Sequence, residues 1–235
     1  STQQKKIILV DKAEFSQATT SQAAALVTHG RSQAIASELV KTTTEYIQQL
    51  DPFLDQPLPF QKCGGIHWAA SDEELAALQK MKSIADTLNI PCSWLSRSQV
   101  NEKLTSFDTG KVLAALFFSD DGHVDGTILA DSYGQAARKL GVSFWRNYRV
   151  NALKRLPQEN AYEVTFSNQE KMTCTHLIIC AGPWAANLLK PLAISIPATQ
   201  LRSLYWISED CFSAGAQMPV CVAPWAKAYF RQEVK

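Results

Sequence analysis

Two short runs of apolar, largely β-branched residues constrain the fold of this chain most strongly. The first is KIILV at residues 6–10, which ends at Asp11, and the second is LIIC at residues 177–180, which is followed by Ala181 and Gly182. A continuous apolar run of this length is typical of a strand that is buried on both faces. Such strands occur in parallel sheets with helices over each face, so both runs predict members of a parallel sheet.

Helical periodicity and capping signals occupy much of the chain between these runs. The apolar spacing in residues 31–50 predicts a helix, and Ser71 and Ser96 each open a capping-box pattern. Asp125 is a candidate N-cap for a helix that Gly141 closes. The other patterns predict strands at residues 60–70, 112–119, 142–150, 162–166, 171–175, 201–207 and 228–231. We therefore expect a mixed α/β fold in which two parallel-type strands flank a more antiparallel section.

Composition narrows the class of protein. Apolar residues make up 46% of the 235 residues, which is enough for a sizeable core, and 23 basic against 22 acidic residues leave a net charge of +1. No basic stripe indicates nucleic-acid binding. The longest apolar runs, such as residues 112–118, are far shorter than the roughly 18 residues of a membrane span. Residues 1–6 lack the apolar region of a signal peptide, and we expect a soluble, cytoplasmic protein.

The cysteines and histidines are too dispersed to predict a metal site. No Cys-x-x-Cys pair and no Cys/His metal spacing occurs, and Gly-x-Ser-x-Gly and P-loop motifs are also absent from the sequence. We therefore expect no metal site, hydrolase elbow or nucleotide-hydrolysing loop. The residues concerned are Cys63, Cys92, Cys174, Cys180, Cys211, Cys221, His29, His67, His123 and His176.

Three segments carry candidate binding residues. Asp11 matches the acidic residue that accepts hydrogen bonds from the adenosine ribose in a dinucleotide-binding βαβ unit, although a turn Asp is the commoner explanation for it alone. Residues 19–25 (TTSQAAA) combine hydroxyl side chains with small residues that let backbone amides approach a pyrophosphate, or they form an ordinary polar loop. Ala181 and Gly182 let the backbone pass close to a ligand, or they form a turn.

In this order and spacing, the segments resemble the D-amino-acid oxidase / glycine oxidase / sarcosine oxidase superfamily of FAD enzymes, over residues 5–231. ILVDK resembles the family's strand ending in Glu-Arg or Glu-Lys, TTSQAAA its Ser/Thr-rich loop, and THLIICAGPWA its most specific motif, vvnAAGaWa. DGHVDGTILADSYGQAARKLGVSF is similar to a family helix and strand, and LRSLYWIS and AYFRQE to strands of its substrate domain. The layout is most similar to bacterial D-amino-acid dehydrogenases, including the D-arginine type.

The resemblance implies a domain plan, a reaction and a set of cofactor contacts. A discontinuous Rossmann-like FAD-binding domain would comprise residues 1–55 and 120–192, interleaved with a mostly antiparallel substrate-binding domain at residues 56–119 and 193–235. The flavin would accept a hydride from the amine-bearing carbon of a D-amino acid or related small amine, and the imine would hydrolyse to an oxo acid. The implied contacts are Asp11 and Lys12 at the ribose, Thr20, Ser21, Ala23, Ala24 and Ala25 at the diphosphate, the Val150 backbone at adenine, and Ala181, Gly182 and Trp184 along the ribityl chain and diphosphate.

The sequence departs from the family pattern at both ends. None of its ten glycines lies in a Gly-x-Gly-x-x-Gly turn, and the family's carboxylate-binding Arg and closing Gly-Asp flavin segment have no counterpart. Because the diphosphate then lacks its usual helix N-terminus, we expect this chain alone to bind FAD weakly or not at all. A complementing chain or a homo-oligomer would be the partner that completes the site.

Catalytic residues are not assigned by the resemblance. His29, Arg31, Tyr229 and Arg231 are candidates by location only, and ordinary surface or core roles are the alternative for each. Other functions remain open on the sequence: a flavin enzyme that acts on a hydroxy acid, a polyol or a tRNA base amine, or a non-catalytic remnant or regulatory subunit that kept the fold and lost the cofactor.

Overall fold

The computed structural model describes residues 6–105, 107–199, 201, 204–209, 218–223 and 227–232. Its strands are β1 (Ile8–Val10), β2 (Leu26–Val27), β3 (Gly65–Ala69), β4 (Cys92–Leu95), β5 (Ala114–Phe118), β6 (Gly122–His123), β7 (Ser143–Trp145), β8 (Val150–Leu156), β9 (Ala161–Phe166), β10 (Lys171–Cys174), β11 (Val220–Ala223) and β12 (Ala228–Phe230). Its α-helices are α1 (Ala34–Gln48), α2 (Asp72–Thr87), α3 (Arg97–Lys103), α4 (Gly126–Lys139) and α5 (Ala185–Leu189).

The chain divides into two compact units, and each is discontinuous in sequence. The first unit comprises Ser1–Gln17 and Ala137–Tyr205, and the second comprises Ala18–Ala136 and Trp206–Lys235. The division into cofactor and substrate domains expected from the sequence stays a prediction, since compactness alone does not say which unit holds a ligand.

The first unit is built on two small sheets. β1 pairs in parallel with β7, with Ile8 opposite Ser143. β8, β9 and β10 follow one another as an antiparallel meander. Leu153, Val164 and Phe166 of the meander are buried and pack against Trp145 at the end of β7 and against Tyr148. This core holds the carboxyl end of β1, because Val10 also packs against it.

The second apolar run does not form the predicted buried strand. Residues 177–180 have no regular secondary structure, and the Ile178 side chain is 86% exposed. Within the described part of the chain, no backbone hydrogen bond joins this run to a neighbouring strand. Among the described residues β1 is paired on one edge only, and Leu9 is 40% exposed. The prediction was therefore wrong for residues 177–180 and right only in part for β1, because burial of a parallel strand needs neighbours on both edges and cover on both faces.

The second unit is organised by a five-stranded mixed sheet with the strand order β12-β11-β3-β5-β4. β3 lies parallel to β11 and antiparallel to β5. One face of the sheet packs Ile66 and Trp68 against Val100 and Leu104 of the α3 region. The opposite face packs Leu116 and other residues against α2. The mixed α/β class expected from the sequence is confirmed, with the largest core in this unit.

Local capping signals determine where three helices begin. The Ser96 hydroxyl accepts the Gln99 amide at 3.3 Å, and the Gln99 side chain accepts the Ser96 amide at 2.8 Å, which completes the predicted capping box. Ser71 likewise caps α2, but the Glu74 carboxylate accepts from the Ala70 amide, one residue earlier than the reciprocal bond expected. Asp125 Oδ1 accepts two amides of α4, at 2.7 and 3.0 Å, as predicted.

Other boundaries differ from the sequence patterns. The strand expected over residues 60–70 begins only at Gly65, and Gln61 makes an isolated bridge to His123. Residues 204–207 are not a strand, and residues 202–203 lie outside the described part of the chain. β12 confirms the strand expected near residues 228–231. No helix in the described ranges has both the length and the apolar character needed to cross a membrane.

Candidate functional site

Asp11 occupies a fixed position at the carboxyl end of β1. Its amide donates to the Trp145 carbonyl at 3.0 Å, and its carbonyl accepts from the Tyr148 amide at 2.9 Å. Its side-chain Oδ1 accepts the Ala13 amide at 3.0 Å, which makes an Asx turn. Oδ2 has no hydrogen-bond partner among the described residues. Asp11 is therefore both a turn residue and a carboxylate with one oxygen available to a ligand.

Lys12 and Trp184 meet in the first unit, although 172 positions separate them in the sequence. The Lys12 ammonium lies 3.6 Å from the centroid of the Trp184 ring, within the range of a cation–π interaction. Trp184 ends a 3₁₀ turn that begins at Gly182, and its amide donates to the Ala181 carbonyl at 3.0 Å. The contact joins the segment after β1 to the Ala-Gly-Pro-Trp segment, which are two of the three predicted cofactor segments.

Gly182 has open space beside its Cα in this turn. Its φ is +50°, a conformation that favours glycine, and no heavy atom lies within 4 Å of the position that a Cβ would occupy. Val150 begins β8 opposite Phe166, with a bulge directly after it. The predicted contacts of Ala181, Gly182 and Val150 with the cofactor stay predictions, but each of these backbone positions is held by a defined turn or strand.

The Ser/Thr-rich loop lies in the second unit and is closed by its own hydrogen bonds. The Ala23 amide donates to the Thr20 carbonyl at 3.4 Å, and the Ser21 hydroxyl donates to the Ala18 carbonyl at 3.1 Å. The loop lies tightly against the start of α4, since a Cβ on Gly126 would come within 2.4 Å of the Thr20 carbonyl oxygen. Thr20, Ser21 and Ala23 are exposed and could face a diphosphate, whereas the first free amides of α4 are already taken by Asp125.

Arg231 holds the end of this loop. Its Nε donates to the Ala24 carbonyl at 3.2 Å, and its Nη1 lies 3.3 Å from His123 Nδ1. Because a guanidinium only donates, His123 Nδ1 is the acceptor, and the neutral ring carries its proton on Nε2. The next residue, Ala25, has a φ of +51° and accepts the Val124 amide at 3.2 Å. Arg231, a candidate by location, therefore contacts the predicted diphosphate loop. Tyr229, another candidate by location, lies in β12 and is 45% exposed.

His29 lies in a buried polar network rather than at the surface. Asp121 Oδ1 accepts both the His29 amide at 2.8 Å and the ring Nδ1 at 2.7 Å. His29 Nε2 lies 3.3 Å from the Thr44 hydroxyl, which itself donates to the Val40 carbonyl at 3.0 Å. The two hydrogen bonds to Asp121 tie the segment that follows β2 to the residue directly before β6.

His67 lies beside this pair without joining it. Its Nε2 is 3.9 Å from Asp121 Oδ2, too far for a hydrogen bond, and neither atom has a partner among the described residues. Burial lowers the pKa of His67 to about 4, with a further contribution from the positive charge of Arg31. Burial likewise raises the pKa of Asp121 above its ordinary value, against the opposing hydrogen bonds from His29. Of the candidates by location, His29 is therefore part of the buried framework, and Arg31 is a nearby positive charge that acts on His67 and Asp121.

The described residues offer no group of three or more His, Cys, Asp or Glu side chains that could hold a metal ion. Two of the thiols are unsuited to act as nucleophiles. Burial raises the pKa of Cys92 to about 11 and that of Cys221 further still, so both stay protonated. Cys211 lies outside the described residues.

Two contacts of the site were not anticipated from the sequence. The Lys12–Trp184 stack and the Arg231–Ala24 hydrogen bond each join residues more than 170 positions apart. No local pattern marks such a pair, because cation–π and side-chain-to-carbonyl contacts depend on how distant strands are brought together. The sequence identified three of these four residues as candidates for the cofactor and the fourth, Arg231, by location only.

Comparison with known proteins identifies the family. The FAD dependent oxidoreductase (DAO) family profile matches residues 1–235. Mitochondrial dimethylglycine dehydrogenase of Rattus norvegicus is 22% identical over 230 residues, which are 97% of this chain and 27% of that protein. The mitochondrial pyruvate dehydrogenase phosphatase regulatory subunit of Mus musculus is 20% identical over 83% of this chain and 22% of its own length.

Solved structures share the fold. L-proline dehydrogenase from P. horikoshii superposes with a TM-score of 0.73 at 14% identity, over 81% of this chain and 50% of that one. The chain therefore spans about a quarter of the length of these curated relatives and half of the solved structure. Since the profile covers all 235 residues, and the superfamily resemblance of the motifs agrees with it, the chain belongs to the DAO family of FAD-dependent oxidoreductases.

Proposed function

We propose that this chain contributes the adenosine-side cofactor contacts of an FAD-dependent oxidoreductase that acts on an amino acid or a related small amine. The observation that carries the proposal is the Asp11–Lys12–Trp184 arrangement at the carboxyl end of β1, which is where α/β folds bind dinucleotides. The family match supports it, and so does the likeness to dimethylglycine dehydrogenase and L-proline dehydrogenase.

The residues at the end of β1 fit the ribose and phosphates of FAD. Asp11 Oδ2 would accept a hydrogen bond from a ribose hydroxyl, because Oδ1 is used by the Ala13 amide. Lys12, held over Trp184, would place a positive charge near a phosphate. The open space at Gly182 would let a ligand approach the backbone closely. These side chains bind and orient; none of them needs to react.

The chemistry itself belongs to the cofactor. When bound, the flavin supplies the hydride acceptor for the carbon that bears the amine. The chain's own contribution in the second unit is positional: Arg231 fixes the Ala24 carbonyl and keeps His123 as the neutral Nε2–H tautomer. Within the class, D-amino acids are the substrate that the sequence favours, and matched enantiomers test this point. The D-enantiomer should bleach the flavin absorbance of the complete enzyme under anaerobic conditions, and preference for the L-enantiomer would contradict it.

A direct binding experiment on the complete enzyme tests the cofactor role. Asp11→Asn keeps the acceptor for the Ala13 amide but replaces the available oxygen by an amide group that donates. Loss of a charged hydrogen bond costs about 1.5–3 kcal/mol, so the FAD dissociation constant should rise roughly ten- to a hundredfold. Glu14→Gln is the matched control. Glu14 lies three residues after Asp11, and its carboxylate pairs with Arg146 at 2.9 Å. Equal FAD affinity of the complete enzyme with and without Asp11→Asn, measured by flavin fluorescence, would refute the assignment.

A non-catalytic role is the second candidate. It is supported by the likeness to a phosphatase regulatory subunit. Under this alternative the fold would act as a protein module, and FAD would bind neither the complete protein nor its Asp11→Asn variant at concentrations near those in cells. The same titration therefore separates the two candidates.

A further inference from the structure

Helix α1 of the second unit exposes its large apolar side chains and buries small polar ones. Ile35, Leu39 and Tyr46 are 61%, 61% and 58% exposed. The side chains that α1 buries include Ser37 and Thr44, which are only 2% and 8% exposed. A surface helix ordinarily has the opposite arrangement, with its apolar stripe against the core and its polar residues outside. The outer face of α1 is therefore an apolar surface that the core does not explain.

Hydrogen bonds on the buried face hold α1 in this orientation. The Ser37 hydroxyl donates to the His29 carbonyl at 2.9 Å, and the Thr44 hydroxyl lies 3.3 Å from His29 Nε2. The Lys41 ammonium donates to the Leu88 carbonyl at 2.9 Å. Turning the helix to bury its apolar residues would break these bonds and leave buried polar atoms without partners, which is costly. The exposed apolar surface is therefore a fixed feature of the fold.

The exposed apolar side chains of α1 lie on one line along the helix. With 3.6 residues in each turn, residues spaced by four, three and four positions fall within about 60° of one another around the axis. We call this line the α1 stripe; its members are Ile35, Leu39, Thr42, which is also exposed, and Tyr46. Apolar residues that alternate at spacings of three and four form the seam against which a second helix packs. The spacing therefore fits a helical partner.

The charges beside the α1 stripe are all negative. Glu38 and Glu45 are exposed, and because they are seven residues apart they lie on the same flank of the stripe. The one basic residue in the sequence of α1, Lys41, lies on another face, where it bonds to the carbonyl beyond the end of α2. Flanking charges determine which helix pairs with a seam, so this flank favours Lys or Arg on the partner. A second copy packed antiparallel would bring the two carboxylate flanks together, which is unfavourable.

The size of the α1 stripe also restricts its occupant. An interface between two folded proteins buries about 800 Å² and 20–30 residues on each side. The stripe has three large side chains along about 17 Å of helix, a length that a single helix of three to four turns covers. An exposed apolar patch of this kind marks an interaction site. One amphipathic helix therefore matches the stripe better than a second globular surface does.

We propose that the α1 stripe docks an amphipathic helix of another protein, whose apolar seam is flanked by Lys or Arg. Leu39, in the middle of the stripe, packs against the seam of the partner helix. Glu38 and Glu45 pair with the partner's cations and fix its register. The stripe belongs to the second unit, so the proposal does not depend on the cofactor contacts at the end of β1, which belong to the first.

The test uses the complete enzyme and three designed helical peptides of about 18 residues, or five turns. The basic peptide has a leucine seam flanked by Lys, the acidic peptide has the same seam flanked by Glu, and the polar peptide has Lys flanks and Gln in place of leucine. Fluorescence anisotropy of the labelled peptides measures binding. We expect saturable binding of the basic peptide and roughly tenfold weaker binding of each of the others. Equal affinities for the basic and acidic peptides would overturn the proposal. So would the absence of saturable binding, because the enzyme's own chain would then cover the stripe.

Matched variants locate the binding surface on α1. Leu39→Gln should weaken binding of the basic peptide about tenfold. Leu113→Gln is the control and should leave binding unchanged, because Leu113 is 58% exposed and lies outside α1, directly before β5. Combining Glu38→Lys with Glu45→Lys should reverse the preference in favour of the acidic peptide.

Sedimentation of the same proteins tests the second copy as the occupant. The oligomeric state of the complete enzyme should be the same with and without Leu39→Gln. Dissociation of a dimer by Leu39→Gln would show that a second copy covers the stripe and would overturn the proposal. The FAD titration of Asp11→Asn is unaffected by either outcome.

Discussion

Replacing Asp121 by alanine removes the acceptor on which His29 depends. Asp121 is 0% exposed, and its Oδ1 accepts two hydrogen bonds from His29, at 2.7 and 2.8 Å. Without the carboxylate, a buried amide and a buried ring N–H lose their partner. Each buried donor left without an acceptor costs about 1–3 kcal/mol, so the loss of both bonds costs about 2–6 kcal/mol. At a slope of about 2–3 kcal/mol per molar urea, the unfolding midpoint should fall by roughly 1–3 M.

The neighbouring aspartate provides the control. Asp120 pairs with Lys62 at 2.7 Å, but both side chains are solvent-accessible, at 34% and 54%. Asp120→Ala should therefore cost less than about 1 kcal/mol. Asp121→Asn keeps an acceptor for the His29 amide and should lie between the two. Urea unfolding followed by tryptophan fluorescence, with hydrogen exchange of the His29 amide as the local probe, measures all three. A cost for Asp121→Ala no greater than that for Asp120→Ala would refute the buried-pair reasoning.

Two further predictions concern the same unit. Because the folded-state pKa of His67 is lowered from 6.5 to about 4, the unfolded chain binds the extra proton, and this contribution to stability is complete above pH 6.5 and lost as the pH falls towards 4. The difference in the free energy of unfolding between the unmodified chain and His67→Leu should therefore fall by about 3 kcal/mol from pH 6.5 to pH 4. We compare the two proteins because Asp121, whose pKa is raised, changes the stability of both with the opposite sign. If urea unfolding gave the same free-energy difference between the two proteins at pH 6.5 and at pH 4, His67 would not be buried and neutral. Ala25→Gly should raise the melting temperature slightly, by the equivalent of about 0.5–1 kcal/mol, since alanine at a φ of +51° is strained and the added freedom of the unfolded chain offsets part of the gain. A lower melting temperature would show that Ala25 is not strained.

Local chemistry explains which parts of the fold could be predicted. Ser96 and Asp125 begin helices as expected, because a capping side chain and the amides that it accepts lie within three residues of one another. Residues 177–180 were wrongly expected to be a buried strand. Their apolar character shows only that the run suits a parallel sheet, and whether a sheet forms depends on strands elsewhere.

The candidate site divides in the same way. Asp11 and Lys12 could be identified because they follow directly on an apolar strand, a position with a known chemical use. The roles of His29 and Arg231 could not be predicted, because they are determined by partners 92 and 207 positions away. His29 then proved to be part of the buried framework, whereas Arg231 holds the loop on which the diphosphate is expected to lie.

Binding of the adenosine half of the cofactor tests the central claim most directly. ADP-ribose, which lacks the flavin, should shift the backbone amide resonances of residues 11–13, Ala181, Gly182 and Trp184, and change the indole resonance of Trp184. The shifts should be lost in Asp11→Asn and retained in Glu14→Gln. Shifts confined to other parts of the chain, or identical shifts in Asp11→Asn and the unmodified protein, would contradict the assignment of the end of β1 as the ribose-binding position.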